Sequence, residues 1–115
     1  MGVKIDCKTR EILDVKNIVF EFIYINMLHY IEEKKIILSI DLQNLIDELD
    51  QGGYGIGCDI ADFVNSKKDA KIFAEIVKRA INKYQAEFSS ISEERKKRLE
   101  NFHQELLAHA EELRE

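Results

Sequence analysis

A run of glycines is the first feature that could carry chemistry. Residues 52–57 read Gly-Gly-Tyr-Gly-Ile-Gly and hold four of the five glycines. A phosphate loop would need a Lys and a Ser or Thr directly after its last glycine, whereas Cys58 and Asp59 follow here, and the third glycine is misplaced for a dinucleotide loop. The tract therefore predicts a loop, either a plain turn between helices or a recognition loop with Tyr54 as its aromatic contact.

The histidines and cysteines form no reactive or metal-binding pattern. His103 and His109 are six residues apart, which places them on different faces of a helix, and His29 belongs to another segment. Cys58 has no identifiable histidine to activate it, and the acidic residues near it disfavour the thiolate. Cys7 and Cys58 could pair, although two isolated thiols are more typical of a reducing cytoplasm. We expect no metal site, no cofactor and no enzyme activity.

The charges of the chain are unevenly distributed. Its formal net charge is −5, yet between Lys35 and Lys67 there is no Lys or Arg. That window contains six acidic residues, which are Asp41, Asp47, Glu48, Asp50, Asp59 and Asp62. A block of one sign attracts a cationic partner and discourages nucleic acid, although the same acids could simply solvate a helix face and cap helices.

Basic residues gather in two clusters further along the chain. They are Lys67, Lys68, Lys71, Lys78, Arg79 and Lys83 in the first, and Arg95, Lys96, Lys97 and Arg98 in the second. Either cluster could touch phosphates. Acidic residues are interleaved with both, which is more typical of salt-bridged helix faces exposed to solvent. We therefore expect no direct nucleic-acid partner.

The length and composition predict one globular domain. The chain has 115 residues, of which 45% are apolar and 34% charged, and it contains no proline that would interrupt a helix. Residues 1–10 lack the apolar core of a signal peptide. The most apolar stretch, residues 18–31, is too short and too polar to span a bilayer. These features predict a cytoplasmic protein with a single domain over residues 1–115.

The elements that must position these residues are predicted to be helices. Polar side chains recur at steps of three to five between Asn17 and Glu33, which predicts one helix over residues 10–34, capped by Thr9 and buried on most sides. A strand over residues 18–25 is the alternative. Ser39 or Asp41 caps a second helix that runs to about residue 50.

Three further elements complete the predicted fold. Asp59 caps a short turn over residues 60–64, Ser66 opens a helix over residues 67–89, and Ser92 opens a last helix over residues 93–114. The predicted fold is an all-α bundle of four main helices with a glycine-rich loop at residues 52–57.

The segment from Asp41 to Phe63 resembles part of a known class of proteins. Its core reads Glu48-Leu-Asp-Gln-Gly-Gly-Tyr-Gly55 and is followed by an acidic and aromatic turn. In this it is similar to immunity proteins of contact-dependent growth inhibition and related polymorphic toxin systems. The resemblance covers about 25 of the 115 residues. It implies a cytoplasmic bacterial protein that binds and neutralises a cognate toxin domain, often a nuclease.

Two hypotheses of function follow. In the first, an acidic surface binds a cationic toxin domain, and its residues are Asp47, Glu48, Asp50, Tyr54, Asp59, Asp62 and Phe63, although Phe63 could equally belong to the core. In the second, the protein is a helical adaptor that acts by protein–protein contact, or that self-associates as a homodimer through the apolar stripe of the last helix. That stripe consists of Leu99, Phe102, Leu106, Ala110 and Leu113.

Overall fold

The computed structural model describes residues 2–51 and 58–114, without the side chain of Gln51. The glycine tract, including Tyr54, therefore lies outside the described residues. The elements in chain order are β1 (Gly2–Cys7), β2 (Arg10–Lys16), α1 (Asn17–Glu33), α2 (Ile40–Gln51), β3 (Cys58–Asp59), a 3-10 turn (Ile60–Asp62), α3 (Lys67–Glu87) and α4 (Glu93–Glu112).

The predicted all-α fold is wrong, because a three-stranded sheet accompanies the four helices. The strand order is β2–β1–β3, in which β1 pairs with β2 antiparallel and with β3 parallel. The hairpin contacts both α1 and α4, and α3 packs between these two helices. The fold is therefore mixed, with a small sheet packed against a helical layer.

The hairpin forms because its apolar residues alternate with polar ones. Val3, Ile5 and Cys7 are buried along β1, as period-two alternation requires of a half-buried strand. In β2 the adjacent residues Ile12 and Leu13 are both buried, because the register shifts by one residue opposite Ile5 and Asp6. Such a β-bulge allows two consecutive side chains to reach the core.

Helix α1 begins seven residues later than the sequence predicts. Residues 10–16 form β2, and Lys16 occupies the N-cap position without a side-chain hydrogen bond. Thr9 is not a cap but lies in the hairpin turn, where Lys8 and Thr9 have φ angles of 54° and 67°. From residue 17 onward the helix prediction is confirmed, and the alternative strand over residues 18–25 is wrong.

The predicted caps of the other elements are confirmed. Ser39 Oγ accepts from the N–H of Leu42 at the start of α2. At the start of α3, Ser66 Oγ accepts from the N–H of Asp69 at 3.1 Å. At the start of α4, Ser92 Oγ accepts from the N–H of Arg95 at the same distance. Because a cap satisfies a backbone donor that the helix leaves free, these local signals were readable from the sequence.

The core lies between the helices and the sheet. The apolar faces of α2 and α3 are buried, and Phe73, Leu42 and Leu45 are among the most buried side chains. The stripe of α4 that suggested self-association is also used inside the chain, since Leu99, Phe102, Leu106 and Ala110 are buried and Leu113 packs against the core. A dimer through this stripe would require the domain to open.

Candidate protein-binding surface

Three of the predicted binding residues lie together at the end of α2. Asp47, Glu48 and Asp50 are exposed there, and the last turn of α2 contains no basic residue. Carboxylates at this end of a helix face the negative pole of its dipole, which destabilises the helix by roughly 0.3–1 kcal/mol each. Asp47 accepts a hydrogen bond from Gln43 at 3.0 Å, and none of the ion pairs formed by the described residues includes these acids. Their charge is therefore available to a partner.

A second group of acids surrounds the Cys58 thiol. Burial raises the pKa of Cys58 to about 12, and the nearby carboxylates of Glu48, Asp59 and Asp62 add to the shift. Glu48 on α2 and Asp62 after β3 thus approach the same point from different elements. The exposed acids Asp47, Glu48, Asp50 and Asp62 are called the acidic surface below.

Asp59 differs from the other predicted binding residues because its carboxylate is occupied within the chain. Oδ1 accepts from the backbone N–H of Lys8 at 3.0 Å and of Ala61 at 2.9 Å, while Oδ2 accepts from Thr9 N–H at 2.8 Å. Although burial acts to raise its pKa, the backbone hydrogen bonds lower the pKa of Asp59 below its ordinary value of 3.8. Asp59 therefore ties the hairpin turn to the 3-10 turn.

Phe63 also has a structural position. Its ring is half-buried and packs against the core, and its backbone N–H donates to the carbonyl of Ile60 at 3.0 Å. The predicted aromatic contact is therefore engaged largely inside the molecule. The other predicted aromatic contact, Tyr54, lies outside the described part of the chain.

A groove that sequence reasoning missed lies beside the acidic surface. It has a volume of about 360 Å³ between α1 and the end of α2, and its apolar lining includes Ile25, Leu28 and Leu49. Its charged lining residues are Glu21 and Asp50, both acidic. This feature is called the apolar groove below.

Helix α1 presents an apolar face around this groove. Ile18 is 58% exposed, Ile25 48% and Leu28 38%, and Phe22 lies among them with its ring 4.9 Å from that of Phe88. Spacings of three, four and seven residues place these side chains along one stripe. The sequence predicts instead a helix buried on most sides. The charged residue Glu21, which lies among these apolar residues, is the sequence feature that indicates an exposed face here.

The two basic clusters carry ion pairs, as their interleaved acids predicted. Arg79 Nε lies 2.9 Å from Glu75 Oε1 and Arg98 Nη2 lies 2.6 Å from Glu94 Oε1, one helical turn away in each case. A polar groove between α3 and α4 is lined by Lys78, Lys96 and Lys97 together with Glu93 and Glu100. Because basic and acidic side chains both line this groove, its charge does not favour the binding of phosphate.

The buried histidine has a structural contact. His109 Nε2 lies 2.8 Å from the carbonyl oxygen of Val64, so Nε2 carries a proton and donates. Its Nδ1 is buried without a partner among the described residues. The neighbouring Cys7 thiol is also buried, and burial followed by the charge of Asp59 raises its pKa, which disfavours a nucleophilic thiolate.

Neither similar proteins nor a metal-binding cluster among the described residues points to another function. No family model, curated protein or solved structure matches the chain. Within residues 2–51 and 58–114, no cluster of three His, Cys, Asp or Glu side chains could hold a metal ion. In the same ranges, no helix has both the length and the apolar character needed to cross a bilayer.

Proposed function

We propose that this protein binds and neutralises a cationic partner protein through the acidic surface, as a cytoplasmic immunity protein does with its cognate toxin. The observation that carries the proposal is the set of exposed acids at the end of α2, which form no ion pair with any described residue. The helix dipole disfavours acids at this end of α2, whereas a basic partner would be attracted to them.

The resemblance of residues 41–63 to immunity proteins supplies the class of partner. Nuclease toxin domains need a cationic cleft to bind phosphate, and an acidic surface complements such a cleft. Electrostatic complementarity of this kind chiefly accelerates association. The proposal concerns four of the seven predicted residues, since Asp59 and Phe63 are already engaged within the chain and Tyr54 lies outside the described residues.

The test first asks whether a gene next to the one for this chain encodes a large secreted protein, and then uses the C-terminal domain of that protein. Co-expression of the two should restore growth, and the purified proteins should form a complex. Growth arrest that co-expression does not relieve, or the lack of such a neighbouring gene, contradicts the proposal.

A charge-neutralised variant tests the mechanism. In it Asp47→Asn, Glu48→Gln, Asp50→Asn and Asp62→Asn are combined. Its matched control removes the same number of exposed acids that form no ion pair with a described residue, namely Glu11→Gln, Asp14→Asn, Glu100→Gln and Glu111→Gln. Both variants have the same net charge, so only the location of the lost charge differs.

Stopped-flow measurements should separate the two variants. Local steering predicts that the first variant associates about tenfold more slowly at low salt, while the control changes by less than about threefold. Equal on-rates for the two variants would mean that the acidic surface does not guide the partner.

A further inference from the structure

The apolar groove and the exposed apolar face of α1 are two features of the described surface that the proposed function does not use. A stripe of Ile18, Phe22, Ile25 and Leu28 on the solvent side of a helix is unusual, since exposed apolar patches mark interaction sites. From Ile18 to Leu28 the stripe spans roughly 15 Å along the helix axis, at 1.5 Å per residue. That length matches three turns of a second helix lying alongside α1.

The charges around the groove determine which helix fits. Glu21 lies on the exposed stripe and lines the groove beside Asp50, and Asp47 lies close to the same end of α2. Among the described residues, no Lys, Arg or His lines the groove. A cationic segment would find complementary charge on this rim, whereas a second copy of this chain would bring further acids to it.

The groove also has the size to accept side chains of a partner. The groove volume of about 360 Å³ suits one or two side chains.

We propose that the apolar groove receives an amphipathic helix of the partner, whose apolar side chains pack on Ile25, Leu28 and Leu49 and whose Lys or Arg residues face Glu21 and Asp50. This inference rests on the proposed function, because it names the chemistry of the partner that the acidic surface attracts. It assigns the apolar contact of the complex to α1, outside the segment that resembles immunity proteins.

The variant Leu28→Asp tests the groove, and Leu107→Asp is its matched control. Leu28 is 38% exposed and Leu107, on α4 outside the groove, is 37% exposed, so both substitutions add one charge at an equally exposed apolar site. If a cationic partner were held by charge alone, Leu28→Asp would strengthen its binding. If apolar packing holds it, the same substitution weakens binding.

The probe is a synthetic amphipathic 18-residue peptide of Leu and Lys, together with a Ser and Lys peptide and a Leu and Glu peptide of equal length. Fluorescence anisotropy at physiological salt should show that the Leu and Lys peptide binds saturably and that the other two peptides do not. We expect Leu28→Asp to weaken this binding about tenfold or more, which corresponds to about 1.4 kcal/mol, while Leu107→Asp changes it less than about twofold.

Several outcomes would overturn the inference. Equal affinity for the Ser and Lys peptide, or tighter binding by Leu28→Asp, would show that charge alone acts. Binding of the Leu and Glu peptide would contradict a cationic occupant. A dimer of the wild-type chain in sedimentation equilibrium that Leu28→Asp dissociates would show that a second copy covers the face.

The toxin domain separates this inference from the proposed function. If the toxin binds and Leu28→Asp binds it as tightly as Leu107→Asp does, the proposed function stands and the groove inference fails. If the Leu and Lys peptide binds in the groove but the toxin domain is not neutralised, the groove inference stands and the proposed function fails.

Discussion

The hydrogen bonds of Asp59 give a prediction that can be worked out from the structure. Asp59→Ala removes an acceptor shared by the N–H groups of Lys8, Thr9 and Ala61. A hydrogen bond to a charged group contributes about 1.5–3 kcal/mol when well shielded. Because Lys8 and Thr9 are exposed and water can replace the carboxylate there, we expect a total loss of only about 2–3 kcal/mol.

Urea unfolding at pH 7 measures this loss. Asp62→Ala is the matched control, because Asp62 is a neighbouring exposed acid and is expected to change the free energy of unfolding by less than about 0.5 kcal/mol. Asp59→Asn should fall between the two, since an amide keeps one acceptor oxygen but carries no charge.

The dependence on pH gives a second readout of the same bonds. The pKa of Asp59 is lowered in the folded chain, so its stabilisation is fully present above its unfolded value near 3.8 and is lost as the pH falls through the lower folded pKa. Asp59→Asn should lack this loss below pH 4. A difference between Asp59→Ala and Asp62→Ala of less than about 0.5 kcal/mol, or identical acid unfolding of wild type and Asp59→Asn, would refute the reasoning.

Two further predictions concern Cys58 and the core. With Cys7→Ala in place, burial and nearby carboxylates raise the pKa of the Cys58 thiol from 9.0 to about 12. At pH 8 this lowers the thiolate fraction about 1,000-fold, but a more basic thiolate is more nucleophilic, so reaction with a disulfide reagent should be roughly 30- to 60-fold slower in the folded chain than in urea. Comparable rates in the two states would show that the thiol is not shielded as described. Leu99→Ala should lower the free energy of unfolding by about 3–5 kcal/mol, because Leu99 is fully buried, while Leu107→Ala on the same helix should change it by less than about 1 kcal/mol. Similar losses for the two leucines in urea titrations would place the core of α4 elsewhere.

The helical part of the fold was predictable because its signals are local. Ser66 and Ser92 each bond to a backbone N–H three residues away, and apolar stripes repeat within one helix. Helices α2, α3 and α4 therefore agree with the prediction to within about two residues.

The hairpin was missed because what stabilises its turn is distant in sequence. Lys8 and Thr9 adopt positive φ angles without the glycine or asparagine that such a turn usually contains. The acceptor that fixes them, Asp59, is 51 and 50 residues away. The alternation of Val3, Ile5 and Cys7 was the one local signal, and it covers only six residues.

The candidate site was predictable in charge but not in shape. The sequence shows that six acids concentrate in residues 41–62, and the structure leaves all of them exposed except Asp59, which is half-buried. Which carboxylates are occupied inside the chain, as Asp59 is, depends on tertiary contacts. The groove depends on the approach of α1 to α2, which no periodicity in either helix specifies.

The contact between the hairpin and α4 has a consequence for synthesis of the chain. Lys8 pairs with Glu112 and Arg10 with Glu105, across separations of 104 and 95 residues. The two strands leave the ribosome well before α4, which contacts β2 in the folded chain. Closing a longer segment adds little to the entropic cost of folding, about 0.6 kcal/mol of free energy for each doubling of its length. Contacts between residues distant in sequence nevertheless slow folding. Until α4 emerges, the part of β2 that α4 contacts stays uncovered, and a chaperone that binds apolar strands could bind the hairpin there.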